Sequence, residues 1–136
     1  NLGVIRQEDG KLTFVFSSRS SIEEQLNASQ RDLDLLASAV GGKVRHHSRY
    51  PGWSYAEKSA IRDAYLSAFR EVTGTDARVN VIHAGLECSV IHAHVPDMDM
   101  ISIGPDMKDI HSPDEALDLS SVEHFWSVLA HVIKGL

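Results

Sequence analysis

Apolar and polar positions change period several times along the chain, and each change marks an element. Residues 2–6 (LGVIR) and 11–18 (KLTFVFSS) are rich in β-branched and aromatic side chains, and "QEDG" joins them. Asp9-Gly10 is a strong hairpin signal, because glycine takes positive φ without strain, so a two-stranded antiparallel ribbon is expected. From Ser21 the period lengthens, with Ile22, Leu26, Leu33, Leu36 and Val40 at helical spacing. Ser21 and Glu24 have the spacing of a capping box and Gly41-Gly42 ends the run, which predicts an amphipathic helix. "KVRHHSRY" then alternates through Val44, His46, Ser48 and Tyr50, predicting a strand closed by Pro51-Gly52. Residues 1–50 therefore read β-β-α-β.

The turn "YPGW" reads as a boundary, after which the pattern restarts. Ser54 and Glu57 offer a second capping box, followed by Ile61, Tyr65, Ala68, Phe69 and Val72 on one helical face and a stop at Gly74. "ARVNVI" has the short β-branched composition of a buried strand. "HAGLECSVIHAH" reads as a loop leading into a short helix that Pro96 stops, and "MDMISI" as another strand ending at Gly104-Pro105. Ser120 and Glu123 open a last helix with Val122, Phe125, Trp126, Leu129, Val132 and Ile133 on one face. Residues 51–136 read α-β-α-β-α, so the expected class is mixed α/β, a sheet with helices packed on it. Two parts follow, residues 1–50 and residues 51–136.

Composition narrows the function classes. The 136 residues are 43% hydrophobic, enough for one core or two small ones. A net charge of −6, from 13 Lys+Arg against 19 Asp+Glu without a long run of either sign, argues against a nucleic-acid partner. No apolar stretch approaches a membrane span and no secretory signal precedes the first strand. The lone Cys88 excludes an internal disulfide and fits a reducing, cytoplasmic setting. Asn1 in place of methionine, with a strand beginning almost at once, is what a piece of a longer protein would show.

Eight histidines invite a metal reading. His46 and His47 are adjacent on the expected strand, point to opposite faces and cannot chelate one ion together, so surface or packing roles are expected. His92 and His94 would share a face in a strand, but in the expected helix their imidazoles diverge by about 200°, which favours packing. His124 and His131 fall off the apolar stripe of the last helix. His83 and His111 differ, because both sit just beyond the C-terminal end of an expected strand, where open α/β sheets gather ligands and catalytic groups. After His111, Ser112 suits an N-cap, Pro113 a first helical position and Glu115 the closing residue of a box, so a helix is expected to start there and hold the loop stiffly. A stiffly presented neutral imidazole suits a metal ion, yet a catalytic zinc needs three protein ligands and no second one stands at a recognisable spacing. Spacing alone leaves His111 open between metal ligand and structural histidine. In "IHAGLEC", Ala84-Gly85 lets backbone approach a ligand, and Glu87 is a carboxylate among apolar neighbours that could serve a substrate amine or cap the next helix.

"YPGW", then "HAGLEC", then "DMISIGPDMKDIHSPDE" and a helix beginning "SSVEHFW" resemble, in order and spacing, the C-terminal part of the aminoacyl-histidine dipeptidases. These Xaa-His peptidases, also called peptidase D or carnosinase-like, belong to the dizinc M20 metallopeptidase family. The upstream "NLGVI" and "SSRSS" resemble the end of that family's lid domain, so the resemblance spans essentially the whole chain. It implies that residues 1–50 close a lid and dimerisation domain and that residues 51–136 end a metallopeptidase catalytic domain. It also implies two zinc ions, a dipeptide substrate and a homodimer formed through the lid.

Residue by residue, the resemblance makes His111 the last metal ligand and Arg19 the partner of the substrate's terminal carboxylate, a task that suits the guanidinium fork. Gly85 matches the glycine lining the substrate pocket, with His83 and Glu87 as further pocket residues on the same loop. The family's other ligands, its bridging aspartate and its general-base glutamate match nothing in this chain, so no catalytic residue is expected here. The chain alone is expected neither to hold zinc tightly nor to hydrolyse peptides. Asp109-Ile110 stands where the family more often has a small pair, and Ser89 where a glycine commonly follows the cysteine; both bear on substrate specificity more than on His111. Two other classes stand beside this reading: a non-catalytic dimerisation or binding module, and an independent histidine-rich metal-binding protein.

Overall fold

The computed structural model describes residues 1–82 and 86–135. In chain order these form strands β1 (Leu2–Glu8) and β2 (Lys11–Phe16), and helices α1 (Glu23–Ala39), α2 (Ala60–Thr73) and α3 (Glu87–His94). The short strands β3 (Met107–Lys108) and β4 (Ala116–Leu117) and the helix α4 (Leu119–Gly135) follow. The expected mixed α/β class holds, with two small antiparallel sheets and four helices among the described residues. The chain divides into two compact units, residues 1–55 with 81–96, and residues 56–80 with 97–136.

In the first unit β1 and β2 form the expected hairpin, in register from Glu8↔Lys11 outward, with an irregularity between Leu2 and Val4. Asp9 and Gly10 both have positive φ (49° and 73°), the geometry of a tight two-residue turn whose twist matches the strands. Helix α1 buries Leu26 and ends as expected: Gly41 is left-handed, its N–H reaches Ser38 O at 3.1 Å, and the N–H of Gly42 reaches Ala37 O at 2.7 Å. These paired bonds are a Schellman stop that satisfies two terminal carbonyls.

The beginning of α1 departs from the expected box. The cap position is Ile22, and the Ser20 hydroxyl accepts its N–H at 3.0 Å. Nor do residues 44–50 form a strand. That segment is instead tied by side chains to α1: the His46 imidazole donates to Asp34 at 2.8 Å, and the Arg49 guanidinium donates to Asn27 at 2.8 Å and pairs with Glu23. The N–H of Gly52 then donates to Glu23 at 2.8 Å, and the Ser54 hydroxyl to Ser21 O at 3.0 Å. These partners are side chains on a helix surface, which offers no ladder of backbone donors and acceptors.

The second unit has its core between α2 and α4. Ala68, Val128 and Val132 are buried there, and Ile61, Tyr65 and Phe69 pack around them. The Tyr65 and Phe69 rings lie 6.1 Å apart in a tilted arrangement, and burial pushes the Tyr65 hydroxyl pKa up. His131 donates to Glu71 at 2.9 Å, joining α4 to α2 at the surface. The expected stripe of α4 is rotated: Val128 lies inside at 1% exposure whereas Trp126 stands 67% exposed. Helix α2 ends at left-handed Gly74 as expected, but it starts later than the spacing of Ser54 and Glu57 predicts. Its cap is Ser59, which accepts the Arg62 N–H at 3.1 Å, and Asp99 adds a carboxylate that accepts the Ile61 N–H at 3.0 Å. Hydrogen bonds from Ser59 and then from Ile61 hold the Asp99 pKa below its ordinary value.

Asp99 lies in "MDMISI", which forms no strand. Its described role at the head of α2 replaces the expected ladder. "ARVNVI" likewise forms none, with Val81 and Ile82 more than half exposed. A strand needs a partner to complete its ladder, and none pairs with either segment among the described residues.

Candidate functional site: the His111 loop

His111 lies on a loop whose base is a two-residue ribbon, Met107↔Leu117 and Lys108↔Ala116. Below the ribbon the Asp118 N–H donates to Asp106 O at 2.9 Å, and the Asp106 N–H donates to the Ser121 hydroxyl at 2.8 Å. Asp118 caps α4, its carboxylate accepting from the N–H of Ser120 at 2.9 Å and from the Ser120 hydroxyl at 2.7 Å. These bonds lower the Asp118 pKa, the Ser120 hydroxyl first. Asp118 therefore takes the capping role that the spacing of Ser120 and Glu123 predicts for Ser120. The loop is fixed to the start of a helix whose other residues make the core.

Within the loop the expected helix after Ser112 does not form. Ser112 makes a single turn instead: its hydroxyl accepts the Asp114 N–H at 3.1 Å and its carbonyl accepts the Glu115 N–H at 3.2 Å. Glu115 does reach back, as the closing residue of a box would, but to the N–H of His111 at 2.7 Å. Capping chemistry is present without a helix because the chain enters β4 at Ala116 and must turn back.

Asp109 and His111 both have positive φ (50° and 67°). Asp and His tolerate this region better than most residues, but each still carries a cost of about 1–2 kcal/mol that neighbouring contacts must offset. His111 is exposed, and among the described residues its imidazole has no hydrogen-bond partner. A free imidazole on a tied-down loop has the donor chemistry of a metal ligand. Among the described residues no group of three or more His, Cys, Asp or Glu is gathered to hold a metal, so His111 fits such a site as one donor and not as a complete shell.

The other expected site residues fall in the first unit or outside the described residues. Arg19 follows β2, exposed and with no ion-pair partner among the described residues. Glu87 is the first residue of α3 and, with Tyr50, Val90 and Ile91, lines a shallow cleft of about 260 Å³. His83 and Gly85 lie outside the described residues. The Ser89 side chain is fully buried and its hydroxyl donates to Leu86 O at 2.6 Å, closing the first turn of α3. His92 and His94 lie on the expected helix; the His94 ring donates to Val90 O at 2.9 Å, while Nδ1 of His92 is buried without a partner among the described residues.

Comparison with known proteins places the chain in a family. The model of peptidase family M20/M25/M40 matches residues 7–135. The chain belongs to this family. Peptidases of family M20 are generally metal-dependent. The chain is 32% identical, over its whole length, to the cytosol non-specific dipeptidase of Escherichia coli (strain K12). It superimposes with a TM-score of 0.79 and 30% identity on the crystal structure of aminoacylhistidine dipeptidase from Vibrio alginolyticus. All of this chain is covered in both cases, but only 28% of either relative, so it spans just over a quarter of their length.

Several structural residues escaped the sequence patterns. Arg49 and Asp99 bond groups that no local spacing pairs with them, and Asp118 takes a cap expected of Ser120. The signal for Asp118 was nonetheless present, since Asp just before a helical run is a common cap.

Proposed function

We propose that this chain is the C-terminal part of a dizinc metallodipeptidase that hydrolyses Xaa-His dipeptides, with His111 as the last metal ligand. The observation that carries the reading is the His111 loop: an exposed imidazole without a partner among the described residues, on a left-handed residue tied to a helix cap, in a chain of peptidase family M20/M25/M40. The printed activities of the two relatives support a dipeptide substrate, and the word "non-specific" in one of them supports acceptance beyond Xaa-His.

Two zinc ions, when bound, would supply Lewis-acid activation of water and of the scissile carbonyl. His111 would contribute one neutral nitrogen donor. Arg19, exposed and unpaired among the described residues, would grip the free carboxylate of the dipeptide bidentately and so select short substrates. Gly85 would let backbone approach the substrate, with His83 and Glu87 beside it. The remaining ligands and the general base would come from polypeptide outside these 136 residues, so the chain alone would be inactive. A cytoplasmic location is supported by the printed name of the Escherichia coli relative, and no helix among the described residues is long and apolar enough to cross a membrane. Homodimerisation through the β1–β2 ribbon is supported by its exposed apolar side chains, Phe14 and Leu12 among them.

The test is hydrolysis of an Xaa-His dipeptide by the full-length protein and by its His111→Ala variant. The expected result is turnover by the first and at least about a 100-fold loss in the second. Retained turnover in the variant would remove His111 from the metal site.

A further inference from the structure

The φ and ψ angles of His111 are bracketed from both sides. The peptide plane before it is held by its N–H, which donates to Glu115 Oε2 at 2.7 Å. The plane after it is held by the Ser112 N–H, which donates to Asp109 O at 3.1 Å. With both planes fixed, the direction in which Cα carries the imidazole is fixed as well. The second bond is internal to the turn, whereas the first depends on one side chain. Without it the left-handed φ of 67° would be free to relax toward the negative values that L residues favour. Glu115 is well placed to resist this, since its own N–H donates to Ser112 O at 3.2 Å and the next residue enters β4.

We propose that Glu115 is a positioning residue: its carboxylate holds the backbone of His111 in the conformation that presents the imidazole to metal. This rests on the reading of His111 as a ligand. Residues behind a ligand commonly change metal affinity by about 10–100-fold when they are lost.

Three variants of the full-length enzyme separate the possibilities: Glu115→Asp, which keeps the charge but is one methylene short; Glu115→Gln, which keeps an oxygen at the same reach; and His111→Ala. Zinc affinity is read by competition with a chromophoric chelator, and ligand geometry by the visible spectrum of the cobalt-substituted protein. The expected result is zinc binding about 10-fold weaker in Glu115→Asp with a changed cobalt spectrum, and near-normal behaviour in Glu115→Gln. Normal affinity and spectrum in Glu115→Asp, while His111→Ala loses metal, would overturn the role of Glu115 and leave that of His111 standing. Impairment of Glu115→Gln deeper than that of Glu115→Asp would also overturn it, because charge and not reach would then be decisive. Unchanged zinc binding in His111→Ala would overturn both assignments.

Discussion

A β-carbon added at Gly52 would lie 2.9 Å from both the Glu23 nitrogen and the Ser21 carbonyl oxygen, closer than such contacts permit. Both neighbours are backbone at the start of α1, so neither can swing aside as a side chain could. The glycine of "YPGW" thus serves a close approach between chain segments, a role that a turn signal alone does not reveal. Gly52→Ala is expected to destabilise the chain by about 1–3 kcal/mol, the usual range for overpacking, as measured by urea unfolding. An unchanged midpoint would mean that the two segments separate without cost. At the same scale, the prominence of His111 was legible from its place among turn residues, but its left-handed backbone was not. Positive φ at a non-glycine residue arises from bonds such as that to Glu115, which the sequence does not display as a pair.

Elements were legible to the extent that they are local. The hairpin at Asp9-Gly10, the glycine stops at Gly41 and Gly74 and the four helices all followed from short-range chemistry. Helix starts were less so. Four pairs of Ser and Glu met the spacing rule; one opens no helix, and at the other three the caps observed are Ile22, Ser59 and Asp118, because acceptors distant in sequence or just upstream compete for the same N–H groups. The strands expected at 44–50, 77–82 and 98–103 failed for a related reason: β-branched composition shows that a segment can pair, and only a neighbour supplies the ladder.

The link between α1 and the 49–52 segment should be sensitive to acid. The Gly52 N–H bond first, and Arg49 next, hold the Glu23 pKa below its ordinary 4.5. The unfolded chain therefore binds this proton more readily than the folded one, so the stabilisation is complete above 4.5 and is lost as pH falls through the depressed value. Glu23→Gln should accordingly be less stable than the parent at neutral pH, with the gap narrowing as pH falls below that of an ordinary carboxylate. Urea midpoints across the acid range check this, and a gap independent of pH would contradict it.

At the scale of the whole molecule, buried apolar residues are few and exposed ones many among the described residues, with Phe14, Leu35, Trp126 and Ile133 all more than half exposed. Exposed apolar surface of this kind marks interfaces with other polypeptide. It agrees with a chain that spans just over a quarter of its relatives' length. The β1–β2 ribbon is open on both faces and is the proposed route to a homodimer. Sedimentation of the full-length protein should give a dimer that charged substitutions at Leu12 and Phe14 convert to monomer. A monomer before substitution would remove the proposal.

The family was legible because the resemblance runs along nearly the whole chain, as the family match over residues 7–135 does. A complete metal shell was not, since no group of three or more His, Cys, Asp or Glu gathers to hold a metal among the described residues. The central claim is that His111 is one ligand of a two-zinc centre. It is tested most directly by the zinc-to-protein ratio of the full-length enzyme beside that of His111→Ala, after dialysis against metal-free buffer. A ratio near two that falls to about one in the variant is the predicted result. Equal ratios in the two proteins would contradict it.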